Sequence, residues 1–79
     1  MKDFISFCED VVVDYIGDKN ITKDDVFVVW SCKTLQNKKA LLSAKYKGAP
    51  YFEFTYNGDK NETYVDVYKK EENFVVKGE

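Results

Sequence analysis

The residue types with the most chemical potential stand side by side in the middle of the chain, where Ser31, Cys32 and Lys33 follow Trp30. A nucleophilic cysteine needs a stabilised thiolate, from a helix N-terminus or a nearby cation, and usually a histidine partner. The chain has no histidine, and Lys33 points to the opposite face of any strand that carries Cys32. We therefore predict that Cys32 and Cys8 are packed thiols that behave as small apolar side chains.

The composition removes several other kinds of chemistry. All 12 basic residues are lysines, 14 residues are acidic, and the formal net charge is −2. Without histidine the chain lacks the commonest general base and metal ligand, and its two cysteines, 24 positions apart, match no zinc spacing. Without arginine it lacks the planar fork that binds phosphates and guanine edges. We expect no metal, no cofactor and no enzymatic activity, and the acidic balance disfavours nucleic acid as a partner.

An amphipathic helix is predicted near the N-terminus, over residues 3–16. Its apolar residues recur at helical spacing, and Asp3 and Gly17 suit the two ends of such a helix. The apolar stripe consists of Phe4, Ile5, Cys8, Val11, Val12, Tyr15 and Ile16. A polar connection follows, in which the spacing of Thr22 and Asp25 predicts a short capped turn.

From residue 26 onwards the apolar pattern has a period of two, which predicts strands. The first strand, at 26–32, is apolar on both faces, as expected of a central strand. One of its faces carries Val26, Val28, Trp30 and Cys32. Further strands are predicted at 40–46, 51–56 and 63–69, and residues 73–76 would add a short fifth strand at an edge or pack as an extended tail. The connections are a turn at 35–39, a reversal at 47–50 and an Asn-Gly turn at 57–61.

These elements predict one α+β domain over residues 1–79, with the N-terminal helix packed on one face of a four- to five-stranded antiparallel meander sheet. Short hairpin loops favour antiparallel pairing, and 79 residues are too few for two independent cores. No apolar run approaches the ~20 residues that a membrane span needs. Acidic residues interrupt the N-terminal segment, so we expect no signal peptide, no membrane association and a cytoplasmic protein with reduced thiols.

The strongest functional indication is a set of tyrosines and carboxylates on the later strands. Tyr64, Asp66 and Tyr68 share one face of a predicted strand, and Tyr51 and Glu53 share one face of the strand before it. Tyrosine suits surfaces that are partly apolar and partly hydrated, and it is enriched at interfaces. The alternative is that these residues only cover the solvent face of a sheet. The register between the two strands is left open by the sequence.

Two further segments contain candidate partner-binding residues. Trp30 would serve either as a core residue or as an anchor in an interface. The predicted turn carries Gln36, Asn37 and Lys38 as candidate partner-binding residues. Within it, Asn37, Lys38 and Lys39 could contact a phosphate or an acidic partner, although an ordinary solvated loop has the same composition. Residues 57–59 are similar to half of a calcium loop but lack its other ligands, so a hairpin turn is the preferred interpretation.

Three blocks of the sequence support a resemblance to a known family. Residues 28–43 resemble the best-preserved segment of a family of small uncharacterised proteins from phages and prophages of Gram-positive bacteria, and residues 52–60 and 64–70 resemble its second and third blocks. The resemblance covers nearly the whole chain. It implies a phage or prophage origin and a location in the host cytoplasm, and it implies no activity.

The function that these observations favour is a protein-interaction module that binds a host or phage protein, or itself, through the tyrosine-rich face. The alternative is binding of nucleic acid or of a small nucleotide. A nucleic-acid surface would require the lysine pairs at 38–39 and 69–70 to converge on one face. A nucleotide would need a pocket between the helix and the sheet. Self-association would use an edge strand at 74–76.

Overall fold

The computed structural model describes residues 3–69 as one helix, a short 3₁₀ turn and four strands. They follow in the order α1 (Phe4–Ile16), the 3₁₀ turn (Lys23–Asp25), β1 (Val26–Thr34), β2 (Asn37–Ala44), β3 (Tyr51–Asn57) and β4 (Glu62–Tyr68). Neighbouring strands are antiparallel, and their spatial order is the order in the chain. The predicted α+β class, with a helix on a meander sheet, is confirmed. The predicted fifth strand lies outside the described residues.

The ends of α1 are fixed by the two residues predicted to fix them. The Asp3 carboxylate accepts a hydrogen bond from the Ser6 backbone N–H at 2.8 Å, which satisfies one of the free donors of the first turn. Gly17 adopts φ 70° and its N–H donates to the Val13 carbonyl at 3.0 Å, as a left-handed C-terminal residue does. The capped turn is also confirmed, since the Asp25 carboxylate accepts from the Thr22 backbone N–H at 2.9 Å.

The core lies between α1 and the middle of the sheet. It consists of Cys8 and Val12 from the helix, Val26 from β1, Ala40 and Leu42 from β2, and Phe52 and Phe54 from β3. Phe52 also receives the edge of the Tyr15 ring, with the ring centroids 5.4 Å apart. The two phenylalanines and Leu42 are fully buried, so β2 and β3 supply most of the apolar surface that supports α1. Among the described helices, none has the length and apolar character that a membrane crossing requires.

Among the strands of residues 3–69, β1 lies at one edge of the sheet, so the prediction of a central strand is wrong for this part of the chain. Within residues 3–69, β1 pairs with β2 alone, because β3 occupies the other side of β2. Its apolar residues are therefore only partly covered, and Phe27, Val28, Val29 and Trp30 remain between 37% and 45% exposed. An apolar pattern reflects the chemistry of the side chains and not the number of neighbouring strands, so it does not distinguish an edge strand of this kind from a central one.

A β-bulge in β1 changes which side chains share a face. Val28 lies opposite Leu42, whereas Trp30 lies opposite Leu41, so Val29 is an extra residue in β1. Residues directly opposite each other in an antiparallel pair lie on the same face of the sheet. Trp30 therefore lies on the face opposite to that of Val28, and the predicted grouping of these two residues is wrong. Simple alternation along a strand gives no sign of such an insertion.

The connection between β1 and β2 is shorter than predicted. Thr34 pairs with Asn37, so Leu35 and Gln36 alone form a two-residue hairpin turn, in which Leu35 has φ 57°. The predicted five-residue turn is therefore wrong, because its last three residues belong to β2. Two-residue hairpin turns usually place asparagine or glycine at positive φ, so leucine at this position gives no turn signal.

Candidate interaction face

The register of the sheet sorts its side chains onto two faces. α1 packs on the face that carries the buried residues Ala40, Leu42, Phe52 and Phe54. On the other face, which we name the open face, no helix or strand of residues 3–69 is packed. Its principal residues, from β1 to β4, are Phe27, Trp30, Cys32, Lys39, Leu41, Ser43, Tyr51, Glu53, Thr55, Glu62, Tyr64, Asp66 and Tyr68.

The open face brings together the tyrosines and carboxylates that the sequence singled out. Glu53 lies opposite Asp66, and Tyr51 lies opposite Tyr68. Tyr64 stands two residues before Asp66 in β4 and therefore on the same face. The register between β3 and β4, which the sequence left open, thus places all five residues on one surface.

Aromatic side chains on the open face keep much of their surface accessible to solvent. The exposed fractions are 39% for Phe27, 42% for Trp30, 43% for Tyr51, 49% for Tyr64 and 50% for Tyr68. Of the two roles considered for Trp30, this exposure favours the interface anchor over the core residue. A single exposed aromatic residue is ordinary on a protein surface, whereas five on one face of a four-stranded sheet form a candidate contact surface.

The centre of the open face is organised around the Glu53 carboxylate. The Tyr68 hydroxyl donates to Glu53 Oε1 at 2.8 Å, and Lys39 Nζ lies 3.2 Å from Glu53 Oε2. The hydrogen bond from Tyr68, followed by the contacts with Lys39, lowers the pKa of Glu53 because both stabilise the ionised carboxylate. The same hydrogen bond raises the pKa of Tyr68. Tyr68 therefore remains a neutral phenol with its hydroxyl held in place.

A second tyrosine and carboxylate pair lies at the start of β4. The Tyr64 hydroxyl donates to Glu62 Oε1 at 2.6 Å, and this hydrogen bond, together with the negative charge of Glu62, raises the pKa of Tyr64. Asp66 follows on the same face, directly opposite Glu53. The β4 side of the open face is therefore both aromatic and acidic.

The sequence reasoning did not place two residues, Lys39 and Glu62, on this surface. Lys39 falls within the first predicted turn, and Glu62 stands one position before the predicted start of the fourth strand. The signal that locates them is the two-residue period itself, since Lys39 precedes Leu41 and Glu62 precedes Tyr64 at that spacing. Both were missed because the predicted strands begin too late in the chain.

Gln36 and Asn37, two of the candidate partner-binding residues, join the two hairpin ends of the sheet. Gln36 Nε2 donates to Asp59 Oδ1 at 2.6 Å, and Asn37 Oδ1 accepts from the Gly58 N–H at 3.1 Å. The backbone around Gly58 therefore belongs to a contact between the β1–β2 turn and the β3–β4 turn. Both side chains have structural partners within the chain.

Lys38 lies on the helix side of the sheet and not on the open face. Its ammonium group is 5.7 Å from the centroid of the Phe4 ring and 5.6 Å from that of Tyr56. Lys39 points to the opposite face, where it pairs with Glu53. The first lysine pair considered for nucleic-acid binding therefore does not form one basic surface.

A shallow groove is also present on the helix side, near the N-terminus of α1. It has a volume of about 470 Å³ and is lined by Phe4, Phe7, Tyr56, Asn61 and Thr63. The lining is largely aromatic, with one amide and one aliphatic hydroxyl group. In the part of the chain that the structure describes, no group of three or more histidine, cysteine, aspartate or glutamate side chains is arranged to hold a metal ion.

The two cysteines have different environments. Cys8 is fully buried in the core, as predicted, and burial raises the pKa of its thiol to about 12. Cys32 is exposed, so the prediction that it is packed is wrong. The cause is again the position of β1, since no layer of residues 3–69 lies over the open face to cover Cys32.

A comparison with protein families matches residues 5–78 to a family of unknown function, DUF6275. The chain belongs to this family. The expectation that it belongs to an uncharacterised family is thereby confirmed, and all four strands and the open face of this DUF6275 domain fall within the matched residues. No curated protein and no solved structure matches the chain.

Proposed function

We propose that this protein is a non-enzymatic interaction module that binds another protein through the open face. The observation that carries the proposal is the exposure of five aromatic side chains, between 39% and 50% each, on one face of the sheet that no helix or strand of residues 3–69 covers. Aromatic residues are enriched at protein interfaces relative to the rest of the surface, and they dominate the binding energy there.

The size of the aromatic surface suits a docking site. A large aromatic side chain offers about 150–250 Å², so five that are two-fifths to one-half exposed present roughly 300–600 Å². A typical specific interface buries about 800 Å² on each partner. The aromatic residues would therefore supply about half of one such interface, and the polar residues around them would supply the rim.

The open face is also preorganised for binding. Its residues stand on a hydrogen-bonded sheet, and the hydroxyls of Tyr64 and Tyr68 are bonded to Glu62 and Glu53 at 2.6 and 2.8 Å. Side chains that are already ordered lose less conformational entropy on binding. This arrangement favours recognition of a partner over a purely solvating role.

The chemistry of the chain supports binding over catalysis. It has no histidine and no arginine, and the thiol of Cys8 is buried with a raised pKa. A phage or prophage origin, and action in the host cytoplasm on a host or phage protein, is the further part of the proposal. It is supported by the resemblance of residues 28–43, 52–60 and 64–70 to proteins of that origin.

The proposal is tested by photo-crosslinking from defined positions of the full chain. A benzophenone amino acid replaces Trp30 or Tyr64 on the open face, and Leu35, which is 83% exposed at the β1–β2 turn, is the matched control. The variants are expressed in a Gram-positive host that carries the phage, and circular dichroism checks their folding. We expect one discrete protein adduct from each of the two face positions and none from position 35.

Two results would contradict the proposal. Equal labelling from Leu35 and from the face positions would mean that contact is unspecific. Folded face variants that give no adduct, while the protein is present in amounts detectable by blotting, would remove the open face as the docking surface.

A further inference from the structure

We propose that the open face recognises a cationic side chain of a protein partner, an arginine or a lysine, seated against β4 between Tyr64, Asp66 and Tyr68. This inference rests on the proposed function and specifies the chemistry of the partner. It depends on three features of the described residues: an opposed pair of carboxylates, a pair of flanking aromatic rings, and a shortage of cations on the same face.

The opposed carboxylates are Glu53 and Asp66. They lie directly opposite each other in the β3–β4 pair, a position in which Cβ atoms are about 4.5–5.5 Å apart and like charges are destabilising. Lys39 approaches Glu53 at 3.2 Å from the β2 side, away from β4. An added cation beside Asp66 would balance the second of these two negative charges.

The charge balance of the face leaves room for that cation. Among the described strand residues of the open face, Lys39 is the only basic side chain, against three carboxylates, Glu53, Glu62 and Asp66. Asp66 is exposed and lies on β4, two strands away from Lys39. A partner with positive charge therefore complements the β4 side of the face.

The flanking rings supply the second half of a cation site. Tyr64 and Tyr68 stand two residues before and two residues after Asp66, on the same face of the strand. Each donates its hydroxyl proton to a carboxylate, which fixes the phenol and leaves the ring available. A cation over the face of such a ring is attracted by the negative potential of its π-electrons.

The same chain already contains an ammonium group placed against two aromatic rings. On the helix side of the sheet, Lys38 Nζ lies 5.7 Å from the Phe4 ring centroid and 5.6 Å from the Tyr56 ring centroid. On the open face, two tyrosines and a carboxylate lie along β4, and the partner would supply the cation. The planar guanidinium of arginine, which both stacks on rings and forks to a carboxylate, fits it best.

The test uses the full chain and a defined probe, the blocked peptide Gly-Arg-Gly-Arg-Gly, with the same peptide containing citrulline in place of arginine as the uncharged control. Binding is followed by the amide signals of an isotope-labelled protein in NMR spectra at low ionic strength. We expect concentration-dependent shifts at positions 64–68 and at Glu53, with the citrulline peptide binding about three- to fivefold more weakly. Raising the salt to about 0.5 M should weaken the arginine peptide selectively.

Matched variants locate the site. Asp66→Asn should weaken the arginine peptide by about three- to fivefold and leave the citrulline peptide unchanged. Asp24→Asn makes the same change of charge at an exposed position in the 3₁₀ turn, away from the open face, and should bind as the unmodified protein does.

Three results would overturn the inference. Equal shifts with the citrulline peptide would show that charge is not recognised, and an equal loss in Asp24→Asn would show that only net charge matters. A concentration-dependent dimer that Asp66→Asn abolishes would assign the face to a second copy of the chain.

If crosslinking from Tyr64 persists while Asp66→Asn has no effect on the peptide, docking stands and cation recognition fails. If crosslinking from Tyr64 is lost while the arginine peptide still binds, cation recognition stands and docking of a protein partner on the open face fails.

Discussion

The contact between the two hairpin ends gives a sharp test of the described fold, through the substitution Gly58→Ala. A Cβ atom at position 58 would overlap the backbone carbonyl oxygen of Gln36, and would lie 2.7 and 2.8 Å from the Cβ and Cγ atoms of the same residue. A backbone atom cannot move aside as the end of a long side chain does. The two turns must therefore separate to admit the methyl group.

The cost of that separation has two parts. Forcing an extra carbon into a closely packed contact costs about 1–3 kcal/mol. The turns are also joined by hydrogen bonds, Gln36 to Asp59 at 2.6 Å and Gly58 to Asn37 at 3.1 Å, and losing these costs about 1 kcal/mol each. We expect Gly58→Ala to lower the free energy of unfolding by about 3–5 kcal/mol, which for a domain of this size lowers the Tm by more than about 10 °C.

Gly48→Ala is the matched control, because Gly48 has φ 81° and no atom within 4 Å of an added Cβ. This variant should lose only the stability that the strain of a left-handed alanine costs, about 1–2 kcal/mol. Both substitutions reduce the freedom of the unfolded chain equally, so the difference between them measures the overlap. Urea unfolding followed by circular dichroism gives both values. If Gly58→Ala is no less stable than Gly48→Ala, the close approach of the two hairpin ends is refuted.

Two further predictions concern the titratable groups. Cys32 is exposed, while Cys8 is buried with a pKa raised to about 12. A thiol reagent at pH 8 should therefore modify Cys32 in the native chain and Cys8 only after unfolding in urea. If both thiols react at one rate in the native chain, the burial of Cys8 is contradicted. The pKa of Glu53 is lowered, chiefly by the Tyr68 hydroxyl, so Glu53 contributes stability above its unfolded pKa of about 4.3, and this stability is lost as the pH falls through the folded pKa. Tyr68→Phe should therefore flatten the fall in stability as the pH drops below about 4.3, whereas Tyr51→Phe should not. Unfolding curves at several pH values decide this, and equal curves for both variants would speak against the hydrogen bond.

The elements that sequence predicts well are those with local signals. The helix is predicted to within a residue because an apolar stripe, an N-terminal aspartate and a C-terminal glycine all act within a few residues of one another. The strands β3 and β4 are predicted for a similar reason, since alternation and an Asn-Gly turn define them. Their ends differ by one residue from the prediction, Tyr51–Asn57 against 51–56 and Glu62–Tyr68 against 63–69.

The errors concentrate in β1 and in the turn that follows it. A bulge and a leucine at positive φ have no local signature in the residue types, and both shift the register of everything paired with them. The position of β1 at the edge depends on how many strands surround it, which no single segment encodes. The sequence therefore predicts the wrong face for Trp30 and the wrong environment for Cys32.

The candidate site was predictable in its parts but not as a whole. Alternation alone places Tyr64, Asp66 and Tyr68 together, and Tyr51 with Glu53. Whether the β4 group and the β3 group lie on the same face depends on how β3 pairs with β4, which is a tertiary property. The roles of Gln36 and Asn37 depend on contacts across 23 and 21 positions of the chain, a distance over which residue types carry little information.

The single inserted residue in β1 divides one strand into two stretches with different constraints. Before position 29 the strand contributes Val26 to the core and places Val28 beside Leu42, so changes there act on the stability of the fold. After position 29 it presents Trp30 beside Leu41 on the open face, outside the cluster of buried core residues. Substitutions at Val26 and at Trp30 therefore act on different properties of the domain, the stability of its core in the first case and the chemistry of its open face in the second.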